Sequence, residues 1–331
     1  MRPSRSWLLL LCLIPARGAA QLAPLGIPRG MFRFEVDGSF AYANERFNDG
    51  TKESLGAPTG TAQVSSGTGA FTLGVGLTRG LSVYGRLPLV SSWWRQTDVT
   101  GTDTVASNSK RTGIGDVDAG VIYTFIDRWN ADAARGVRFA VTGAYRFPTG
   151  AVALPSDPYE VALGAGTPAI GMGAALDLGG GTFGARLSGT YLLQMSGEFT
   201  RRIDSVPAGV TVRPGSQLRL GIAPYYRLAR ALGIVGSAAW LNQGTDEVQY
   251  TTPADSVPGI PASVLGEGTG ASRLLLSIGL TYSSSGQRAD GTNGIPLDAG
   301  WRWETTVASS GGIATKWSAI IFFARLYARI W

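Results

Sequence analysis

Residues 31–42 alternate between apolar and polar side chains at nearly every position. Successive side chains of an extended chain point to opposite faces, so the alternation gives this segment two chemically different sides. The apolar side carries Phe32, Phe34, Val36, Phe40 and Tyr42. The polar side carries Arg33, Glu35, Asp37 and Ser39. The segment therefore predicts a β-strand with one apolar face and one charged face.

Segments of this kind recur to the end of the chain, and we count twelve candidate strands. They span residues 31–47, 68–78, 81–97, 113–126, 137–148, 168–178, 182–195, 216–229, 232–244, 271–283, 295–308 and 317–331. The sequence offers no segment with a helical period to cover their apolar faces. A sheet without such cover can close into a barrel whose apolar face meets lipid. The pattern predicts an all-β fold, a single antiparallel up-and-down transmembrane β-barrel of about twelve strands.

The connections between the candidate strands alternate in length. After the second, sixth and eighth strands they are very short, as at 79–80 and 179–181. After the odd-numbered strands, from the first to the ninth, they are long and polar, as at 48–67 and 245–270. Outer-membrane barrels have short periplasmic turns and longer outer loops, so the amino terminus is expected in the periplasm. The fourth and tenth connections are intermediate and the eleventh is short, so the alternation is incomplete.

The first twenty residues have the pattern of a cleaved signal peptide. Arg2 and Arg5 precede an apolar stretch at 8–14, and a small-residue region ends at Ala20. The apolar stretch is too short to span a bilayer, so it indicates export. The expected organisation is a signal peptide at 1–20 followed by one outer-membrane β-barrel at 21–331, located in the bacterial outer membrane.

Tryptophans stand at the ends of several candidate strands. Trp93 and Trp94 end the third strand, Trp317 begins the last, and Trp331 closes the chain. Tryptophan favours the headgroup level of a membrane, which accommodates both its apolar ring and its N–H group. These four residues are the expected aromatic girdle, with core or surface positions as the alternative.

Charged residues recur on the faces opposite the apolar ones. A charge facing lipid near the membrane midplane costs about 2–4 kcal/mol, so these residues are expected to line the lumen. The candidate set is Arg33, Glu35, Asp37, Arg86, Asp116, Asp118, Arg138, Arg146, Arg186, Arg219, Arg227, Arg273, Arg302 and Glu304. In one interpretation these arginines and carboxylates face each other across a constriction and bias the passage of anionic or polar solutes. In the other, the same residues form a salt-bridged lattice that braces a narrow barrel with little through-flow.

Two stretches of the chain resemble a known family: residues 76–90, and residues 113–123 with the segment 144–150 that follows them. The second contains two short motifs, Gly113-Ile114-Gly115-Asp116 and Pro148-Thr149-Gly150. Together they resemble the family named for the meta-pathway of phenol degradation, whose members look like transporter-like outer-membrane barrels. The resemblance covers about residues 70–150 well. It implies a barrel, and a role in the passage of aromatic or other hydrophobic small molecules.

Composition weakens the enzyme and nucleic-acid alternatives. The chain contains no histidine to activate a hydroxyl nucleophile, and Cys12 is its one cysteine. A metal site would have only oxygen ligands, such as Asp246 with Glu247 or Asp157 with Glu160, for which solvated loop charge is the favoured interpretation. We therefore expect no enzyme activity, no cofactor and no metal. Without the three signal-peptide arginines, 26 basic residues stand against 23 acidic ones, and this balance does not indicate nucleic-acid binding.

The last strand adds an expected partner. Its terminal aromatic residue, Trp331, resembles the recognition signal of outer-membrane barrels, although Arg325 and Arg329 share its face and are expected to point into the lumen. The expected partners are the lipid bilayer, the barrel-assembly machinery and a small-molecule solute of unspecified identity. The expected function is a passive channel or transporter for small molecules, aromatic or hydrophobic ones included. A structural or surface-exposed barrel without transport is the alternative, and a membrane-embedded enzyme is less favoured.

Overall fold

The computed structural model consists of β-strands throughout the residues that it describes. These are residues 26–55, 60–100, 103–130, 135–151, 162–203, 206–229, 231–250, 263–265, 270–284 and 297–329. The strands are β1 (Met31–Ala43), β2 (Glu45–Asn48), β3 (Thr51–Ser54), β4 (Gly60–Gly76), β5 (Leu81–Thr100), β6 (Asp103–Ile114), β7 (Val117–Asn130), β8 (Arg135–Phe147), β9 (Ala169–Gly180), β10 (Phe183–Gln194), β11 (Gly197–Ile203), β12 (Val206–Arg213), β13 (Gln217–Arg227), β14 (Leu232–Gln243), β15 (Glu247–Tyr250), β16 (Ser263–Leu265), β17 (Ala271–Ser284), β18 (Leu297–Ser310), β19 (Ile313–Thr315) and β20 (Ser318–Arg329). Among the described residues, no helix is long and apolar enough to cross a membrane.

Twelve of these strands form one closed antiparallel barrel. They are β1, β4, β5, β7, β8, β9, β10, β13, β14, β17, β18 and β20, and each pairs with the barrel strand that precedes it and the one that follows it. The ring closes where β1 pairs with β20, in a register that runs from Met31 opposite Arg329 to Tyr42 opposite Ser318. The predicted all-β, up-and-down barrel of twelve strands is therefore confirmed.

The remaining strands lie between the barrel strands, mostly in connections that the sequence pattern treats as long polar loops. β6 continues the hairpin of β5 beyond the barrel wall, while β2, β3 and β19 form a small three-stranded sheet. β11, β12, β15 and β16 form a second small sheet of four strands. The predicted first strand, 31–47, was too long for the same reason, because the chain leaves the barrel after Ala43 and joins the three-stranded sheet as β2.

The two ends of the barrel differ in the length of their connections. At one end, called here the short-turn end, two to four residues separate β4 from β5, β7 from β8, β9 from β10 and β13 from β14, and twelve separate β17 from β18. The opposite end, called here the long-loop end, carries the small sheets and the connection at 148–168. The strand bounds agree with the alternation read from the sequence, with a longer tenth connection and a short eleventh one. The fourth connection, expected to be intermediate, is as short as the others at its end.

The barrel is apolar outside and polar inside. Phe34, Leu73 and Ile278 expose between 43% and 56% of their surface on the outer face. Arg33 and Glu35 point inward, and each is 8% exposed. A soluble protein distributes these chemistries the other way round. A closed barrel satisfies all of its backbone hydrogen bonds internally, and its apolar outer face is suited to contact with lipid.

Residues 26–30, ahead of β1, lie against the inner wall at the short-turn end. The backbone N–H of Ile27 donates to Ser82 Oγ over 2.9 Å, and that hydroxyl donates back to the Ile27 carbonyl over 3.1 Å. Gly76 on β4 provides the space, because a Cβ at this position would overlap the carbonyl of Pro28. This segment therefore narrows the barrel at that end, a role for which the sequence pattern gave no signal.

Candidate functional site: the barrel lumen

The barrel encloses a cavity of about 380 Å³ between its two ends. Nine of the fourteen predicted lumen residues line it, namely Arg33, Glu35, Asp37, Arg86, Asp118, Arg146, Arg186, Arg219 and Arg302. Arg325 also lines the cavity, and it is 4% exposed. Arg329, expected beside it, is exposed at the end of β20.

The other five predicted residues lie outside the lining. Glu304 points inward and binds Arg219 of the lining, whereas Arg138 points inward and binds Asp177, which in turn binds Arg186 of the lining. Arg273 is 4% exposed near the long-loop end, where its Nη2 donates to Gln243 Oε1 over 3.0 Å. Arg227 lies at the short-turn end and donates from Nε to the carbonyl of Ala229. Asp116 has a different position, described below.

One charge cluster joins the first and last barrel strands near the short-turn end. Arg325 on β20 donates from Nη2 to Oε1 of Glu35 on β1 over 2.7 Å, and Arg33 lies 3.6 Å from the other oxygen of that carboxylate. Beside it, Arg86 on β5 donates to both oxygens of Asp37, over 2.9 and 3.5 Å. The Glu35–Arg325 pair crosses the closure of the barrel between β1 and β20, and the Asp37–Arg86 pair spans β4 on the other side of β1.

A second cluster centres on Asp177, which the sequence-based set omits. Asp177 on β9 is 1% exposed and accepts from Arg138 on β8 and from Arg186 on β10. The guanidinium of Arg138 also lies 4.4 Å from the centre of the Trp129 ring. The sequence does indicate an inward position for Asp177, because this residue stands between the outward Leu176 and Leu178. A similar ion pair joins Asp118 and Arg146 over 3.1 Å.

A third cluster lies on the other side of the lumen, on β13 and β18. Arg219 donates from Nη2 to Oε2 of Glu304 over 3.3 Å. Nη2 of Arg302 lies 3.5 Å from the same oxygen. Two cations therefore share one carboxylate oxygen, whereas both oxygens of Asp177 accept hydrogen bonds.

Asp116 fixes a loop instead of lining the cavity. It lies between β6 and β7, where its two oxygens accept the backbone N–H groups of Gly150 and Ala165, over 3.0 and 2.7 Å. Next to it, Thr149 Oγ1 donates to the carbonyl of Gly115 over 2.8 Å. The Gly-x-Gly-Asp and Pro-Thr-Gly motifs that carry the sequence resemblance are therefore halves of one clamp. This clamp fixes both ends of the 148–168 connection to the barrel.

The predicted girdle tryptophans do not share one face. Trp93 lies on the outer face of β5, where its ring centre is 5.5 Å from Lys110 Nζ. Trp94 points to the inner face, because adjacent residues of a strand alternate. Trp317 packs against the inward residues Ala41 and Ile321. Trp331 lies outside the described residues. Only Trp93 of the three described residues is therefore in a position to contact lipid.

Other aromatic side chains form a belt that the sequence pattern did not single out. They are exposed on the outer face towards the short-turn end: Phe32, Tyr123, Phe125, Phe183, Tyr226 and Tyr282. Several pack edge to face or tilted against each other, with ring centres 4.6 Å apart for Tyr123 and Phe125. Aromatic residues at one level of a barrel are typical of a membrane interface.

The lumen also has apolar surface. Ile122, Leu241, Ile321 and Phe323 point inward, line the cavity and are less than 10% exposed. They interrupt the polar face of their strands, so strict alternation of apolar and charged positions could not identify them. The cavity thus offers both charged and apolar contacts to a solute.

The charge of the cavity lining is positive. Its residues include seven arginines, Arg33, Arg86, Arg146, Arg186, Arg219, Arg302 and Arg325, against three carboxylates, Glu35, Asp37 and Asp118. Counting the buried partners Arg138, Asp177 and Glu304 leaves eight cations against five anions. Such a lining attracts anions and raises their local concentration in the pore.

The described residues hold no cluster of three or more side chains able to bind a metal ion. Asp246, a candidate oxygen ligand from the sequence, instead accepts the backbone N–H of Gly215 over 2.7 Å at the long-loop end. Burial of this carboxyl raises its pKa above the usual value. Asp157 and Glu160 lie outside the described residues.

Comparison with known proteins supports the fold. No protein-family model and no curated protein sequence matches the chain. Among solved structures, the chain is similar to the COG4313 outer membrane channel from Pseudomonas putida F1, with a TM-score of 0.65 and 12% identity over 94% of this chain and 99% of that one. The TodX deltaS2S3 mutant monoaromatic hydrocarbon channel has a TM-score of 0.44 at 9% identity, over 94% of each chain, which is too distant to carry an argument. The predicted likeness to transporter-like outer-membrane barrels is thus confirmed at the level of the fold.

Proposed function

We propose that the chain is a passive channel of the bacterial outer membrane for small molecules, aromatic or other hydrophobic ones included. The observation that carries the proposal is a closed twelve-stranded barrel around a charged cavity of about 380 Å³. Its outer face is apolar and its inner face is polar, so the lumen is the route by which a polar group crosses the membrane. The likeness to the COG4313 outer membrane channel supports this assignment.

The apolar part of the lining supports the solute class. Ile122, Leu241, Ile321 and Phe323 provide inward surface on which a ring or an alkyl chain packs. Pockets for small molecules combine an apolar lining with a few placed polar groups, and this cavity has both.

Location and assembly belong to the same proposal. Residues 1–20, outside the described part of the chain, act as the export signal, and the barrel-assembly machinery inserts the remainder. Expression in a Gram-negative cell with and without residues 1–20 tests this. The full chain is expected in the outer-membrane fraction as a folded, heat-modifiable band, and the truncated chain in the cytoplasm.

A structural barrel without transport is the second candidate, and the ion pairs favour it. Asp177 with its two arginines, and the pairs across the β1 closure, brace the wall from inside. Residues 26–30 further narrow the short-turn end. A lumen filled by side chains that brace the wall would pass no current.

Conductance of the refolded chain in planar bilayers discriminates between the two. A channel shows discrete openings, and a cysteine at the cavity-lining Thr142 makes the current sensitive to a charged, water-soluble thiol reagent. The matched control is Val121→Cys, whose side chain is on the outer face and 46% exposed. The two variants then differ only in the face that carries the thiol. A folded barrel without openings, or equal block of both variants, contradicts the channel proposal.

A further inference from the structure

Two arginines of the lumen share a single carboxylate oxygen. Arg219 on β13 and Arg302 on β18 both approach Oε2 of Glu304, at 3.3 and 3.5 Å. The side chains of the three residues are 17%, 11% and 12% exposed, in the same order. The cluster therefore holds one surplus positive charge in a largely buried position.

Several N–H groups of this pair have no hydrogen-bond acceptor among the described residues. They are Nη1 of Arg219 and both Nε and Nη2 of Arg302, and all are buried. Arg302 as a whole is 9% exposed and lines the cavity. A buried donor without an acceptor is costly, and more so when it is charged. An anion at this place satisfies the donors and balances the surplus charge.

Not all arginines of the lumen lack acceptors in this way. Arg86 donates to both oxygens of Asp37, and Asp177 accepts from two guanidiniums through both of its oxygens. The shortage of acceptors is thus a property of particular arginines and not of the lumen as a whole. Arg33 and Arg325 also retain unpartnered donors beside Glu35, and they extend the cationic lining towards the short-turn end.

Apolar side chains lie directly beside both arginines of the pair. Leu241 on β14 is opposite Arg219 in the strand register, and Ile321 on β20 is opposite Arg302. Both line the cavity and are 4% and 5% exposed. A ligand bound to the guanidiniums therefore contacts aliphatic surface on either side of its charged group.

From this geometry we infer that Arg219 and Arg302 bind the carboxylate of a small organic acid whose apolar body packs on Leu241 and Ile321. The planar guanidinium presents paired N–H groups that match the two oxygens of a carboxylate, which a neutral or cationic solute does not provide. The inference rests on the proposed channel function and names its solute class. It makes the lumen selective for aromatic and aliphatic acids over the corresponding alcohols and amines.

Calorimetric titration of the refolded full chain with sodium benzoate tests the site directly. We expect saturable binding that weakens at least about tenfold in Arg302→Gln, because charge-assisted hydrogen bonds are lost. The control is Arg86→Gln, which removes the same charge from the same cavity but takes it from a guanidinium already bonded to Asp37. This variant is expected to weaken binding by less than about twofold, since the guanidinium of Arg86 belongs to a different cluster and its N–H groups are engaged by Asp37. Arg302→Lys, which keeps the charge but not the planar fork, should fall between the two.

Several results overturn the inference. They are the absence of saturable benzoate binding in the parent chain, equal losses in Arg302→Gln and Arg86→Gln, and equal binding of benzyl alcohol. Gel mobility with and without heating first establishes that each variant is folded. If Arg302→Gln does not fold, Arg219→Gln removes the other member of the pair and replaces it in the comparison.

Current measurements separate this inference from the proposed function. In a gradient of sodium benzoate, the reversal potential of the parent channel should indicate preference for the anion, and Arg302→Gln should reduce that preference. Potassium chloride current without benzoate binding overturns the carboxylate site and leaves the channel intact. Benzoate binding in a barrel that carries no current overturns the channel and supports the site.

Discussion

Removal of the Asp177 carboxylate should be among the most damaging single changes to the barrel. Asp177 is 1% exposed and accepts hydrogen bonds from Arg138 and Arg186 on the two neighbouring strands. Asp177→Asn keeps the shape of the side chain but loses its charge and one of its two acceptor oxygens. Two buried guanidiniums then lose the carboxylate that they share.

The expected loss follows from the cost of leaving a buried charge uncompensated. Removal of one partner from a buried ion pair costs about 3–5 kcal/mol, and here one carboxylate serves two cations. We therefore expect Asp177→Asn to lower the free energy of unfolding by about 3–5 kcal/mol. Urea unfolding of the chain refolded in lipid vesicles, followed by tryptophan fluorescence and gel mobility, measures this loss.

Two further variants make the result interpretable. Asp127→Asn removes an exposed carboxylate near the same arginine and should cost no more than about 1 kcal/mol. Adding Arg138→Gln to Asp177→Asn should recover part of the loss, because one of the two unpaired cations is then absent. A loss below 1 kcal/mol for Asp177→Asn, or a double variant less stable than the single one, would refute the reasoning.

Three other substitutions test separate features of the barrel. Gly38→Ala should cost about 1–3 kcal/mol in urea unfolding, because its Cβ would overlap the outward ring of Phe322 on the neighbouring strand. Gly76→Ala should displace residues 26–30 from the inner wall and raise single-channel conductance, because its Cβ would overlap the backbone of that segment. Asp246→Asn should change the pH dependence of unfolding. Burial raises the pKa of this carboxyl in the folded state, so the parent chain loses stability as pH rises from about 4 through that pKa. The asparagine variant does not titrate there, so its stability relative to the parent should rise over the same pH range.

Each of these expectations has a clear contrary result. For Gly38→Ala it is unchanged stability, with Gly69→Ala as the control, since a Cβ at that outward position meets nothing within 4 Å. For Gly76→Ala it is unchanged conductance in a folded barrel. For Asp246→Asn it is a stability difference from the parent that stays constant between pH 4 and pH 7.

The alternation of side chains was sufficient to predict the barrel, because lipid and lumen impose opposite chemistry on successive residues. Phe34 and Glu35 illustrate this, since they occupy the outer and inner faces that their polarity requires. The rule fails where the chain is irregular. A bulge at Thr124/Ile126 in β7 reverses the phase of the strand, so that Asp127 pairs with an inward position. Backbone pairing produces such a bulge, and side-chain polarity does not reveal it.

The small sheets at the long-loop end escaped prediction for a related reason. Strands such as β2 and β3 lie outside the barrel wall and do not separate lipid from the lumen. Their sequence therefore lacks the alternation that marks a barrel strand. Lys52 and Glu45 show what replaces it, a 2.7 Å ion pair between adjacent strands. Their pairing is fixed by backbone hydrogen bonds and local charge, which a search for apolar periodicity does not detect.

The hydrogen bonding of the lumen arginines decides between bracing and selection. A lumen built only for bracing would provide acceptors for its guanidiniums, as Asp177 does for Arg138 and Arg186 through both of its oxygens. At Arg219 and Arg302 the match is incomplete, because two guanidiniums share one oxygen and keep buried N–H groups without acceptors. A cost of this kind persists where the unsatisfied groups have a ligand. The two interpretations of the charged face therefore apply to different parts of one lumen: saturated ion pairs brace the wall, and the unsaturated pair selects the solute.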